Sequence, residues 1–201
     1  MEWLLIPIIL GLALVYIPKL TYIAQMFTTI THEIGHAVVV MPFGGRLSGI
    51  KLRLNTEGEA VVSLPRYRTP FYQLLRVLNL FAGYSAPLYT AILLIVIVAQ
   101  GWDIVGKVLI AAASLLVLLF IRNWFGMLVA VLFTAVNAVF LFTPTIYLYS
   151  WLLFLATILL LKGTQDVYNA GKWVFKRQVD NSDFHIAAAE LKGTPQFWFV
   201  L

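Results

Sequence analysis

Cysteine is absent from these 201 residues, and charged residues make up only 11% of them. The first absence excludes a disulfide framework, an iron–sulfur site and thiolate ligands for zinc, so a strong metal ligand here must be His, Asp or Glu. The second excludes an ordinary soluble fold. Hydrophobic residues reach 61% and the mean hydropathy is +0.89, as in a polytopic membrane protein. A basic n-region and a small-residue cleavage site are missing ahead of the first apolar run, which therefore reads as a retained membrane segment. The net charge of +5 lies in no dense basic run interleaved with aromatics, which argues against nucleic acid as a partner. It fits the positive-inside rule instead. No internal repeat or low-complexity segment is present.

What is there is mostly apolar. Runs of this kind cover about residues 3–17, 20–43, 71–99, 104–121, 124–143 and 145–161, each near the length needed to cross or enter a bilayer. The expected fold is an all-α polytopic membrane protein of about six transmembrane helices, forming one membrane-embedded domain over residues 1–201. Ile17-Pro18-Lys19 reads as a tight turn between the first two segments. Between residues 44 and 65, alternation around Asn55-Thr56-Glu57-Gly58 predicts a membrane-associated β-hairpin after the second helix. Residues 163–201 read as a polar loop followed by a C-terminal interfacial segment ending on Phe197-Trp198-Phe199-Val200-Leu201.

Placing the basic residues gives an orientation. With a cytosolic N-terminus, Arg46, Lys51, Arg53, Arg66, Arg68, Arg76, Arg122, Lys162, Lys172, Lys176, Arg177 and Lys192 all fall inside, leaving Lys19 and Lys107 outside. A multi-pass cell-membrane protein with both termini in the cytosol is the expectation.

The second apolar run contains Thr31-His32-Glu33-Ile34-Gly35-His36-Ala37, an H-E-x-x-H signature. On a helix, His32 and His36 project from one face, where two imidazole nitrogens can hold one Zn²⁺. Glu33 sits beside the metal's open position, where a carboxylate can take a proton from a water that attacks a carbonyl. Each ionisable group costs a few kcal/mol in hydrocarbon unless paired or metal-bound, which favours a metal site over a structural polar cluster. The expected orientation puts this site in the cytosolic half of the second segment.

A catalytic zinc usually has three protein ligands and one water. Asp103 falls at the opposite face, and Glu57 and Glu59 on the hairpin, which leaves Asp166, Asp180, Asp183 and His185. Asp183 leads because Asn181-Ser182-Asp183-Phe184-His185 runs from a polar loop into an apolar stretch. Asp166 stays open as the alternative, and so does a capping role for Asp183 at a helix beginning near Phe184. His185 reads as interfacial. Ala82-Gly83-Tyr84-Ser85-Ala86-Pro87 breaks the pattern of the third segment. It reads as a packing kink, or as a place where Ser85 binds substrate or an oxyanion. Asn123 reads as a loop-edge residue beside a belt tryptophan.

These residues resemble the site-2 protease family of zinc intramembrane metalloproteases, in particular its compact bacterial subgroup. His32-Glu33-Ile34-Gly35-His36-Ala37 is similar to the family's first motif, and the hairpin with Gly44-Gly45 resembles its membrane-associated β-element. Ala82-Gly83-Tyr84-Ser85-Ala86-Pro87 resembles the small-residue motif of its second core helix, with weaker similarity through Arg122-Asn123-Trp124-Phe125-Gly126 and Ser182-Asp183 to Thr194-Pro195. The resemblance implies one Zn²⁺ per chain bound by His32, His36 and a later Asp, with Glu33 activating water. It also implies a membrane-protein substrate cleaved within or next to a membrane helix. The family's third-ligand motif has Gly after Asp, whereas Phe184 follows Asp183 here. The extension typical of secreted metalloproteases is replaced by Val39 and Pro42. Two rival expectations are a non-catalytic membrane scaffold and a metal or solute transporter built on the same His/Glu cluster.

Overall fold

A computed structural model of the chain describes residues 4–63, 70–176, 183–191 and 193–200. In chain order they form α1 (Leu5–Tyr16), α2 (Thr21–Val40), β1 (Arg46–Leu52), β2 (Gly58–Ser63), α3 (Pro70–Gln100), α4 (Asp103–Phe120), α5 (Trp124–Phe142), α6 (Thr145–Phe175), α7 (Asp183–Leu191) and α8 (Pro195–Val200). The expected α-helical membrane fold with one hairpin after the early helices is what forms.

The expected count of about six crossings becomes four or five among the described residues. Among the described residues four helices, α3 to α6, are long and apolar enough to cross a bilayer, with a fifth crossing if α1 and α2 count together. α1 has twelve residues, about 18 Å of helix, too short for a hydrocarbon core of about 30 Å. Pro18 cannot donate the next helical hydrogen bond, and the chain bends by 99° between α1 and α2. The junction is thus a corner, where the apolar runs alone suggested a reversal.

α1 lies along α6 and runs in its direction. Pro7 and Leu10 border a groove with Tyr147 and Ser150, Gly11 abuts Thr157, and Val15 packs with Ile158 and Leu161. α3 and α6 share a core of Ala91, Leu94 and Ile97 against Leu148, Leu152, Leu155 and Leu159. Their outer faces stay apolar and uncovered, and only 17% of the most apolar window of α5 is buried by protein, as expected of helices solvated by lipid. Pro87 does not break α3, which is continuous from Pro70 to Gln100. At that level α6 offers Gly163, where an added Cβ would lie 3.1 Å from Pro87 Cβ.

A second correction concerns the polar loop expected from residue 163. α6 continues through it to Phe175, because Gly163, Ala170, Gly171 and Val174 form a buried stripe at helical spacing. The rest of that loop, residues 177–182, lies outside the described residues. Beyond it, α7 and α8 return to pack Phe184, Ala187 and Trp198 against Leu80, Ala170 and Val174.

The hairpin spans most of its expected range, with Leu64 and Pro65 outside the described residues. Its strands pair from Arg46↔Ser63 to Leu52↔Gly58, and Arg53 N–H donates to the Glu57 carbonyl at 2.8 Å to close the tip. Ile50 and Leu52 are buried against Ile30, Val117, Ile121 and Ala130, which seats the hairpin on α2, α4 and α5.

One polar network ties three spans together. Asn137 of α5 donates to Ser114 Oγ of α4 at 2.9 Å and accepts from Trp151 Nε1 of α6 at 2.9 Å, with Ser114 in turn donating to Ile110 O. Every member is satisfied, so the network specifies how the helices meet. Asn137→Ala is expected to destabilise the folded protein by about 1–2 kcal/mol, seen as a lower Tm in detergent; an unchanged Tm would refute this role.

Candidate metal centre

α2 brings its polar residues onto one side because His32 and His36 are one turn apart. Facing them, α3 presents bare backbone: a Cβ added at Gly83 would overlap His32 Nε2 and lie 2.6 Å from His36 Nε2. Gly35 does the same from α2, where an added Cβ would meet the Ala82 carbonyl and Ala86 Cβ, both at 2.6 Å. The two helices therefore touch through backbone, and the imidazoles fill the space that a side chain at 83 would need.

The third member arrives from the tail. Asp183, the first residue of α7, places Oδ2 3.3 Å from His32 Nε2 and 3.6 Å from His36 Nε2, while the two imidazole nitrogens are 3.2 Å apart. For metal bonds of about 2.0–2.1 Å, the edge of a tetrahedron is about 3.3–3.4 Å, so the spacing suits one Zn²⁺. Two further observations agree. Asp183 Oδ2 is buried without a hydrogen-bond partner, an arrangement that is costly unless a cation faces it. His36 Nδ1 donates to the Asn79 carbonyl at 2.7 Å, which leaves its Nε2 as a lone pair directed at the cluster.

The tail is held by aromatic packing. Phe184 stacks on Tyr84 at 5.0 Å between centroids and meets Phe199 edge-on at 5.2 Å, and Tyr84 itself lies edge-on to His32 at 4.8 Å. Phe184, standing where glycine was expected, is thus the anchor that presents its neighbour Asp183 to the histidines. α8 closes the packing through Phe199, whose ring lies where a side chain at Gly171 would go.

Glu33 is buried on the other side of His32. The hairpin covers it: an added Cβ at Gly58 would lie 2.6 Å from Glu33 Oε1 and 2.6 Å from Thr29 Cγ2. Thr29 Oγ1 donates to the Thr56 carbonyl at 2.8 Å, pinning the hairpin tip to α2. His32 and Glu33 open into a polar cavity of about 440 Å³, lined also by Gln25, Thr28, Glu57, Lys162, Asp166 and Asn169.

Of the residues expected at the site, His32, His36 and Asp183 come together, and they form the one group of metal-ligating type among the described residues. Glu33 lies beside them. Asp166 sits instead across the cavity, accepting a 2.9 Å hydrogen bond from Gln25 Nε2. His185 lies on α7 outside the cluster, and Asp180 is outside the described residues. Ser85 Oγ donates to the Ala82 carbonyl of its own helix at 3.4 Å and lines a separate apolar groove with Ile34, Phe81 and Tyr89. It is not in the lining of the polar cavity. Sequence reasoning missed Gly58, Thr29 and Gln25; a glycine closing a turn and two ordinary helix polar residues carry no signal of which side chain they will meet.

A His/His/Asp cluster with His36 buried and His32 and Asp183 half-buried, beside a glutamate and set in apolar helices under a hairpin, could hold a metal ion. The chain belongs to the Peptidase M50B-like family, a site-2 protease family, whose profile matches residues 5–201. It matches no curated protein and no solved structure.

The donor set gives a direct measurement. Asp183→Ala is expected to lower zinc content well below about one per chain, whereas Asp166→Ala leaves it unchanged. Gly83→Ala should lose metal as Asp183→Ala does, since its Cβ would sit between the imidazoles and α3. Equal zinc in the wild type and Asp183→Ala would reject the triad.

Proposed function

We propose that this protein is a zinc-dependent intramembrane endopeptidase in which His32, His36 and Asp183 hold one Zn²⁺ and Glu33 is the general base. The supporting observation is the tetrahedral spacing of three acceptor atoms with Glu33 next to them. A zinc ion held there supplies Lewis acidity toward water and a scissile carbonyl. The chain's own residues do the rest. Water reaches Glu33 through the polar cavity, and Glu33 takes a proton from the attacking water and returns it to the leaving amine. Burial of the cluster among Tyr84, Phe184 and the hairpin limits bulk solvent at the reacting bond.

The hairpin supplies a place for an unwound substrate. In the observed register, Gly58 and Ala60 turn their backbone groups away from β1, and Gly58 lies against Glu33. An extended segment added to that edge of β2 would run past the base, with main-chain hydrogen bonds holding it. A membrane-protein substrate fits this reading, because its helix must open before its backbone can pair. Ser85, in the neighbouring apolar groove, would contact the part of such a substrate that stays in lipid.

We further propose five crossings, with the bent α1–α2 pair as the first. The face bearing the hairpin carries Arg46, Lys51, Arg53, Arg122, Lys172 and Lys176, and Lys107 lies at the other end of the bundle near the start of α4. The hairpin face is then cytosolic, and so is the metal centre. Since α1 runs parallel to α6, its first turn would lie opposite the hairpin face under this proposal, where the apolar runs led to a cytosolic N-terminus.

Two experiments test these readings. Glu33→Gln is expected to reduce cleavage of a membrane-helix substrate by about 10²–10⁴-fold with zinc retained; equal turnover would reject the base, and a zinc-loaded wild type that cleaves no membrane helix would favour a scaffold. For orientation, the cysteine-free chain allows single-cysteine labelling in intact cells. Leu4→Cys and Trp102→Cys should react from outside, and Ser63→Cys and Lys172→Cys only after permeabilisation. Protection of Leu4→Cys together with Lys172→Cys would restore an even number of crossings.

A further inference from the structure

The outer edge of β1 is closed by a side chain. Leu52 N–H donates to Asn123 Oδ1 at 3.0 Å, and Asn123 Nδ2 donates to the Leu52 carbonyl at 2.6 Å. The carboxamide thus pairs with Leu52 as a neighbouring strand's peptide group would. Just before it, Arg122 N–H donates to the Ile50 carbonyl at 3.0 Å, and Ile121 bridges to Ile50 in parallel. The turn between α4 and α5 is therefore a third, very short strand whose last member is a side chain.

The surroundings are shaped for this contact. An added Cβ at Gly126 would lie 2.6 Å from Asn123 Oδ1, and one at Gly49 would lie 2.5 Å from Arg122 Cγ. Leu52 and Ile121 are completely buried, so without Asn123 a main-chain donor and acceptor would be stranded in an apolar setting. Leu52 pairs with Gly58 across the hairpin, and Gly58 is the residue pressed against Glu33 Oε1. A continuous series of contacts runs from Asn123 through Leu52 and Gly58 to the base.

We propose that Asn123 is a positioning residue: it seals the β1 edge and sets the height of the hairpin over Glu33, so that an extended substrate can pair only along β2. This rests on the protease reading for its substrate, but its structural half stands alone. An incoming strand has two edges to choose from on an isolated hairpin, and pairing on the outer edge of β1 would put it on the far side of the hairpin from Glu33. Asn123 at Leu52 completes the closure that Ile121 and Arg122 begin at Ile50, and so removes that choice.

The test combines a structural and a kinetic readout on the full-length, zinc-loaded protein in detergent. In Asn123→Ala, amide hydrogen exchange across residues 46–63 is expected to accelerate about tenfold, the loss of roughly one to two net hydrogen bonds, while α2 amides and zinc content stay as in the wild type. KM for a membrane-helix substrate should rise about tenfold with kcat changed less than about threefold, as expected when binding rather than chemistry is lost. Asn123→Asp keeps the acceptor for Leu52 N–H and loses the donor, so its values should fall between. Gly126→Ala, which displaces the carboxamide without removing it, should reproduce Asn123→Ala and guards against a folding defect peculiar to one variant. Unchanged exchange in the hairpin overturns the seal. Faster exchange with unchanged KM overturns the guidance of substrate, and loss of zinc in parallel with activity shows that Asn123 serves the fold rather than the hairpin. If the wild type cleaves no membrane helix, the protease reading fails while the exchange data still decide the seal.

Discussion

The contact between α2 and α3 at backbone distance is the constraint on which the rest of the structure depends. Gly35 lets α2 rest on the Ala82 carbonyl, and Gly83 leaves the space into which both imidazoles extend. In hydrocarbon, helices gain nothing by hiding apolar surface from water, so association relies on close packing and interhelical hydrogen bonds. The bond from His36 to the Asn79 carbonyl supplies the second while the glycines allow the first. Ligand orientation and helix packing are therefore the same contact.

From that contact the site is completed by two elements that are not spans. α7 brings Asp183 to the histidines on an aromatic anchor, and the hairpin lays Gly58 over Glu33. Both are held at several separate points: Tyr84 and Phe199 on Phe184, and Thr29 and Asn123 on the hairpin. A buried acceptor cluster is unfavourable until a cation joins it, so metal binding and docking of the tail are expected to reinforce one another. The hairpin makes no contribution to the donor set, and its attachment through Leu52 is independent of the metal.

Several features were legible in residue order because their signal is local. His32, Glu33 and His36 announce themselves by spacing, the hairpin by alternation and turn residues, and the membrane class by composition. Asp183 was favoured over Asp166 on the polarity of its surroundings alone, and geometry now separates them, since only Asp183 approaches both imidazoles. The count of crossings, about six from the apolar runs and four or five from the described helices, differs for a physical reason. Hydropathy measures whether a segment prefers lipid, and it is blind to direction, so α1 and α2 counted as two spans although Pro18 joins them at a corner. The polar stretch after Lys162 was misread in the complementary way: a helix that continues past its apolar run to pack on the tail needs only a narrow stripe of small and apolar residues.

By itself, then, the sequence determined the chemistry available: His, Asp and Glu as the strong donors in a cysteine-free chain, the H-E-x-x-H spacing that groups them, and helices apolar enough to lie in a bilayer. Tertiary structure alone decided which carboxylate joins the histidines, why a side chain at position 83 has no room, and how Gly58 comes against Glu33 while Thr29 and Asn123 hold the hairpin. Spacing along one helix fixes neighbours through a rigid 1.5 Å rise per residue. Contacts between Asn123 and Leu52, or Asp183 and His32, span 71 and 151 residues, and depend on how separately formed helices pack, which no local pattern encodes.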